Sequence, residues 1–235
     1  MVNGSLVVRA RRLWTELAGV PVAFPDAGIT VVTSERSLLC PPGWAGIVVV
    51  GNAGIATVPA DGTGAALADL PVAAATDVER VRAVLAPADT LGPATLAYLD
   101  RPDFAPAGLP AAVEELPAGH DEVVALVASV SAEDAGECGL DEITSPAFVV
   151  RERSEVVAAA GYRGWPASVA HLGVLTADRY RGRGLAGLVA SAAVADALDN
   201  GLLPQWRARP PASRRVAARL GFRELGAQLS VRPAG

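Results

Sequence analysis

The chain contains no lysine: all 20 of its basic residues are arginine. Beside abundant Ala, Val, Gly and Pro, that absence reads as the imprint of GC-rich coding rather than of function. Cysteine is almost missing too. Cys40 and Cys138 are too few for a disulfide framework and lack the spacing of metal ligands. No window approaches the roughly 18 uninterrupted apolar residues of a membrane span. No apolar segment follows Arg9, Arg11 and Arg12, so a secretory signal is not expected. Together these absences predict a soluble, reduced, cytoplasmic protein with no membrane partner. What is present is core-forming material. Of 235 residues, 51% are apolar and 19% charged, which excludes a wholly disordered chain and suits two modest domains.

Charge is unevenly spread. Residues 1–162 hold nine arginines against 21 acidic residues, whereas residues 163–235 hold eleven against four. A basic C-terminal third on an acidic body suggests an anionic ligand at that end, either nucleic acid or a phosphorylated small molecule. The nucleic-acid reading is the poorer one. The arginines are scattered over loop, strand and helix, aromatic residues rarely interleave with them, and the pI is about 5.1. No nucleic-acid partner is expected.

Pattern divides the chain. Leu6–Leu17 has helical spacing with Ala18-Gly19 as its stop, and Gly28–Thr33 and Gly46–Val50 are β-branched runs that predict strands. Cys40–Gly43 predicts a turn and Asp77–Leu85 a short amphipathic helix. The proline-rich stretch Asp100–Gly108 is the linker candidate. Residues 1–104 are therefore expected to form a smaller mixed α/β domain and residues 105–235 a second domain. In the latter an extended Val113–Leu116 precedes a helix from Asp121 to about Ser131. Strands are expected at Phe148–Val150, Glu155–Tyr162 and Val169–Thr176.

One segment carries chemistry. After the last of those strands come Ala177-Asp178-Arg179-Tyr180-Arg181-Gly182-Arg183-Gly184 and then a helix, in which Leu185, Leu188, Val189, Ala192, Ala195 and Leu198 recur at three- and four-residue steps up to Asn200-Gly201. Gly182 and Gly184 thus sit at a helix N-terminus. Its first N–H groups lack intrahelical acceptors, its macrodipole is positive there, and glycine lets backbone approach an anion. That is a phosphate cradle. The nucleotide P-loop is excluded because it requires lysine. A dinucleotide fingerprint is met in letters by Gly182, Gly184 and Gly187, but no acidic residue follows at the required distance, where Pro204 and Gln205 stand.

Arg179-Tyr180-Arg181-Gly182-Arg183-Gly184 resembles motif A of the GNAT acetyltransferase superfamily, [QR]-x-x-G-x-[GA] after a strand. Downstream, a strand with Trp206, a helix at Ser213–Leu220, Gly221-Phe222 and a final strand at Arg223–Val231 keep the family order. The likeness covers about residues 110–235 and extends more loosely to the N-terminal part as a degenerate companion. It implies a central mixed sheet flanked by helices, with acetyl-CoA as co-substrate. The backbone of Val174, Leu175 and Thr176 would hold the pantetheine, and Tyr180, Arg181, Gly182, Arg183, Gly184 and Leu185 would offer N–H groups to the diphosphate. Arg179, Arg181 and Arg183 either meet the ligand or are solvated surface. Ser213 either caps its helix or faces the ligand thiol.

Two departures from the family stand out. Its usual acid, a Tyr four residues before the Gly of the GF pair, is Ala217 here, and an Asn common two residues before Ser213 is Pro211. Candidates for proton transfer are His171, Tyr162 and Glu142, with Glu137 further off. Trp165 either walls an acceptor pocket or packs, and His120 reads as loop surface. The resemblance thus implies N-acyl transfer to a small-molecule or peptide amine, by a monomer or a homodimer. The alternative is a module that binds acyl-CoA without turnover, in keeping with the two departures.

Overall fold

A computed structural model describes residues 2–59, 64–108 and 113–233. The fold is mixed α/β, as expected: among the described residues there are seven α-helices and ten strands, with parallel and antiparallel pairings. None of these helices is long and apolar enough to cross a membrane. By packing, the chain divides into one unit of Met1–Ala97, Ala208–Pro210 and Glu224–Gly235, and another of Tyr98–Arg207 and Pro211–Arg223.

In the first unit, helix α1 (Val2–Leu17) buries Leu6, Ala10, Leu13, Trp14 and Leu17, which share one stripe at helical spacing. Strand β1 (Gly28–Thr33) lies parallel to β3 (Ala53–Val58), which is antiparallel to β2 (Ala45–Val50). β2 and β3 are buried at all six positions each, as the apolar run of β2 and the nearly apolar run of β3 permit, with Thr57 bonded to the Ser37 hydroxyl at 2.6 Å. Gly51, at φ +69°, and Asn52 make the two-residue turn between them. Helices α2 (Gly64–Ala68) and α3 (Val78–Leu85) and strand β4 (Asp89–Tyr98) follow. Asp77 is the N-cap of α3 rather than its first residue, accepting from the amides of Glu79 and Arg80. β3 and β4 were not foreseen from pattern.

The last strand, β10 (Arg223–Arg232), pairs antiparallel with β2, so the strand order in this unit is β1-β3-β2-β10-β4. Gly226 makes the pairing possible: a Cβ there would lie 1.8 Å from the Val49 carbonyl oxygen. Ile47, Val49, Leu67, Val81, Leu229 and Val231 form the core.

In the second unit the strand order is β9-β8-β7-β6-β5. β5 (Glu114–Leu116), β6 (Ala147–Glu152), β7 (Glu155–Trp165) and β8 (Val169–Thr176) are joined by antiparallel pairings, and β9 (Leu203–Ala208) is parallel to β8. A parallel pair needs a crossover, here α6 (Leu185–Asp199), which packs on β6, β7 and β8. Helix α4 (Asp121–Ala128) ends earlier than expected because Ser131 starts α5 (Ala132–Cys138), its hydroxyl accepting from the Asp134 amide. Val123, Leu126, Cys138 and Leu140 cover the sheet face formed by Val149, Ala159 and Leu175. Helix α7 (Pro211–Arg219) leads to the turn before β10.

The expected linker is fastened down. Arg101–Asp103 forms a short 3-10 turn, the Ala105 amide donates to the Leu220 carbonyl, and Arg223 lies 3.2 Å from Asp103. Gly221, the glycine of the GF pair, ends α7 at φ +96°, and a Cβ there would stand 1.9 Å from the Asp103 carbonyl oxygen. Its presence is required by that approach. Gly221→Ala should destabilise the fold by about 3 kcal/mol through backbone strain and overpacking; urea unfolding showing a loss under about 1 kcal/mol would mean the turn relaxes freely.

Candidate functional site

The site begins where two strands part. On one edge β8 pairs with β7 along its whole length, from Val169 to Thr176. On the other edge it pairs with β9 only from Val169 to His171, against Leu203 to Gln205. From Leu172 onward that edge of β8 has no strand partner among the described residues. Gly173 lies beneath the turn after α5, where a Cβ would come 2.7 Å from the Cys138 carbonyl oxygen. At the far end of that edge the Thr176 hydroxyl is buried and has no partner among the described residues, while its carbonyl accepts from Arg181 Nε at 3.3 Å.

The chain then makes a 3-10 turn at Asp178–Tyr180 and passes through Gly182 and Gly184, both left-handed at φ +77° and +81°, into α6. Nothing lies within 4 Å of where a Cβ would project from either glycine. No side chain caps α6. Among the described residues no acceptor meets the amides of Gly182, Arg183, Gly184, Leu185 and Ala186. The expected cradle is therefore open and continuous in sequence with the unpaired edge of Val174, Leu175 and Thr176.

The arginines behave differently from a free cationic lining. Arg179 is bonded to Glu155, Arg181 lies 2.9 Å from Asp178 and 3.1 Å from Asp134, and Arg183 lies 3.9 Å from Glu152. Arg179 and Arg183 also flank the Tyr180 ring at 5.0 and 5.1 Å. Positive charge at the cradle is thus largely offset, leaving backbone amides as its principal donors. Beside it, Glu152, Arg153, Ser154, Glu155, Arg179 and Tyr180 line a cavity of about 500 Å³.

The register separates the proton-transfer candidates. Residues directly opposite in an antiparallel pair share a face, and neighbours along a strand alternate. Tyr162 is opposite Leu172 and His171 opposite Arg163, so Tyr162 and His171 point to opposite faces. Tyr162 is buried, and its hydroxyl donates to Asp196 of α6 at 2.6 Å. Burial first, then the Asp196 carboxylate, pushes its pKa up to about 12. Glu142 is exposed and bound to Arg163 at 2.6 Å. Glu137 is exposed on α5. His120 is the N-cap of α4, Nδ1 accepting from the Glu122 amide, rather than plain loop surface.

His171 occupies the fork itself. Its Nδ1 is hydrogen-bonded to Gln205 Oε1, and its ring stacks on Trp165 at 4.0 Å and 11°. Loss of water around the ring, then the charges of Arg207 and Arg163, bring its pKa down to about 3 despite the opposing Gln205 bond. Ser213 does not cap α7: it lies three residues into the helix, and its oxygen accepts from Trp206 Nε1 at 2.9 Å. Ala217 is buried and apolar. Gln205 escaped notice as a site residue. The signal was one fully polar side chain in the short strand around Trp206.

Residues 145–227 match the family model described as GNAT acetyltransferase. Solved structures with the same architecture include a GNAT-family structure from Novosphingobium aromaticivorans, 22% identical with a TM-score of 0.51, over 63% of this chain and 67% of that one. A GNAT-family acetyltransferase from Colwellia psychrerythraea is 16% identical (TM-score 0.48), over 67% of this chain and 62% of its own. A GCN5-related N-acetyltransferase from Kribbella flavida is 21% identical (TM-score 0.48), over 63% and 60% respectively. The chain thus spans less than two thirds of the last two. At these identities the likeness speaks to fold alone. Among curated proteins no relative matches.

The depressed His171 pKa has a consequence for folding. The unfolded chain binds a proton near pH 6.5 that the folded chain refuses down to about 3, so stability is full above 6.5 and falls as pH drops. Between pH 7 and 5 this one group should remove roughly 2 kcal/mol. Urea unfolding of the protein and of His171→Gln should differ in that slope; equal losses would show that the imidazole is not held neutral.

Proposed function

Because residues 145–227 match the GNAT acetyltransferase family model, we propose that the protein is an acyl-CoA-dependent N-acyltransferase that moves acetyl from acetyl-CoA to an amine in a ternary complex. The observation that carries this is the open row of backbone amides at Gly182–Ala186 following the unpaired edge of β8. Such a seat fits a diphosphate, because N–H groups and the helix macrodipole favour an anion even where the flanking arginines are already paired. The unpaired edge of Val174, Leu175 and Thr176 suits an amide-bearing arm, and the buried, unpartnered Thr176 hydroxyl offers one further bond.

Bound acetyl-CoA would supply an acetyl group activated as a thioester. The work left to this chain is to orient the amine, polarise the carbonyl and manage two protons. The unpaired amides of β8 are the donors for the carbonyl oxygen. Holding its imidazole neutral, His171 offers the nitrogen away from Gln205 as an acceptor for an amine N–H. A group with a pKa near 3 is too weak to deprotonate an ammonium, so it orients an amine that arrives neutral and takes the proton only as the C–N bond forms. Tyr162 is a poor donor to the departing thiolate, being bound to Asp196 with a raised pKa. Ala217 supplies none. A thiolate is weakly basic and leaves without an acid, taking its proton from water. Glu142 contributes by holding Arg163, and Ser213 by fixing Trp206 of β9. The acceptor partner is a small-molecule or peptide amine, and the setting is cytoplasmic, where acetyl-CoA is made and used.

The missing acid also favours a second reading, a module that binds acyl-CoA without turnover. Purified protein with acetyl-CoA and an amine panel should release free thiol, and kcat/KM should rise with pH as the amine deprotonates, with no inflection near 6.5. Tight binding without thiol release from any amine would favour the second reading. For the cradle, Gly184→Glu should abolish acetyl-CoA binding in calorimetry while costing no more than about 2 kcal/mol of stability, since the Cβ projects into open space and only φ is strained. Unaltered affinity in that variant would place the coenzyme elsewhere.

A further inference from the structure

One buried donor is left over where β8 and β9 part. Gln205 has no exposed surface, its Oε1 is bonded to His171, and its Nε2 has no partner among the described residues. A buried amide hydrogen without an acceptor is unfavourable, so natural folds rarely keep one unless a ligand or water completes it. The surroundings show what kind of atom is wanted. Gln205 adjoins His171 across the last paired rung, and Arg163 faces His171 from β7. Arg207 is two residues beyond Gln205 and on the same side of β9. Glu142 binds Arg163 at 2.6 Å, yet the charges that act on the imidazole are those of Arg207 and Arg163, both positive. Trp165 stacks on one flat side of the ring. The corner therefore combines a spare N–H donor, nearby guanidinium groups and a neutral nitrogen that accepts.

We propose that Gln205 determines acceptor specificity: its Nε2 donates to a carboxylate oxygen of the acceptor while His171 accepts from the acceptor's amine, so that the substrates are amino acids or closely related amino carboxylates. This rests on the acyltransferase reading above and narrows it. Spacing follows from connectivity. The two ligating nitrogens are separated by one carboxamide and one imidazole hydrogen-bonded to each other, so the carboxylate must lie within a few bonds of the amine. A bound carboxylate also secures the amide orientation in which Oε1 faces Nδ1, which keeps the hydrogen of a neutral imidazole on Nδ1 and leaves Nε2 free to accept.

The test compares three matched acceptors: phenylalanine, phenylalaninamide and phenethylamine, with leucine, leucinamide and isopentylamine as a second set. Thiol release gives kcat/KM, and calorimetry on CoA-bound protein gives acceptor affinity independently of turnover. The carboxylate should lead the carboxyl-free amine by at least about tenfold in both measurements, with the carboxamide behind the carboxylate. Q205E, which sets a negative charge against the ligand, should invert the order, and Q205L should erase it. Acetyl-CoA affinity and the melting temperature check that both variants are folded. Equal use of all three acceptors by the unaltered protein would overturn the inference while leaving the acyltransferase reading intact, as would a carboxylate preference that survives in Q205L. If thiol is never released, the acyltransferase reading fails, and the calorimetric preference alone then supports or overturns the Gln205 subsite.

Discussion

Two parallel strands that stop pairing after three rungs create an obligation. Each backbone N–H and C=O on the freed edge of β8 must find water, side chain or ligand, since an unsatisfied polar group in a dry setting costs about 1–3 kcal/mol. Proteins rarely leave such an edge inside a sheet without a use for it. Here the opening starts directly after the His171–Gln205 rung and runs to the mouth of α6, where five further amides lack acceptors. The pieces depend on one another. If β8 and β9 stayed paired to their ends, that free edge would vanish, and with it the row of unpaired backbone groups that leads to α6.

Charge then plays a smaller part than composition suggests. The basic C-terminal third looked like an attraction for anions, but Arg179, Arg181 and Arg183 are each beside a carboxylate from β7, the 3-10 turn, α5 or the end of β6. Exposed pairs of this kind contribute at most about 1 kcal/mol, so an incoming anion can draw an arginine away at little cost. The pairs keep the loop ordered without making the cradle indiscriminately cationic. Seat specificity then comes from fixed amide directions, which a mobile side chain does not provide.

Much of this was legible in the sequence, and the failures have physical causes. α6 was readable because its apolar spacing ends at Asn200-Gly201, and the cradle because two glycines precede it. β3 was missed although Gly51-Asn52 is a hairpin turn signal, since Ala53–Val58 reads as a continuation of the apolar run before it. α5 was absorbed into α4 because Ser131 was read as an end rather than as the cap of the next helix. The partner of β10 was beyond reach of local pattern: its pairing with β2 joins residues nearly two hundred positions apart. The same limit hid the bonds of Arg179 to Glu155, Arg181 to Asp134, Arg183 to Glu152 and Tyr162 to Asp196, whose members are distant in the chain. Gln205 was visible as a letter, but its value lies in what it fails to contact.

If the chain transfers an acyl group, an apolar Ala217 where an acid could stand is a small handicap, and the reason lies in which proton is hard to move. Expelling a thiolate requires little help, because it is a weak base whose conjugate thiol has an ordinary pKa near 8.5. Amine attack is the demanding step, since an ammonium has no lone pair and must give up its proton before the C–N bond can form. Under the proposed acyl transfer, Ala217 and the Asp196-bound Tyr162 give no help with the easy proton, and the neutral His171, too weakly basic to deprotonate an ammonium, accepts from an amine that has already lost its proton to water. The stack of Trp165 on His171 and the bond from Nδ1 to Gln205 hold the imidazole still, which under that reading keeps its remaining nitrogen in place for an amine.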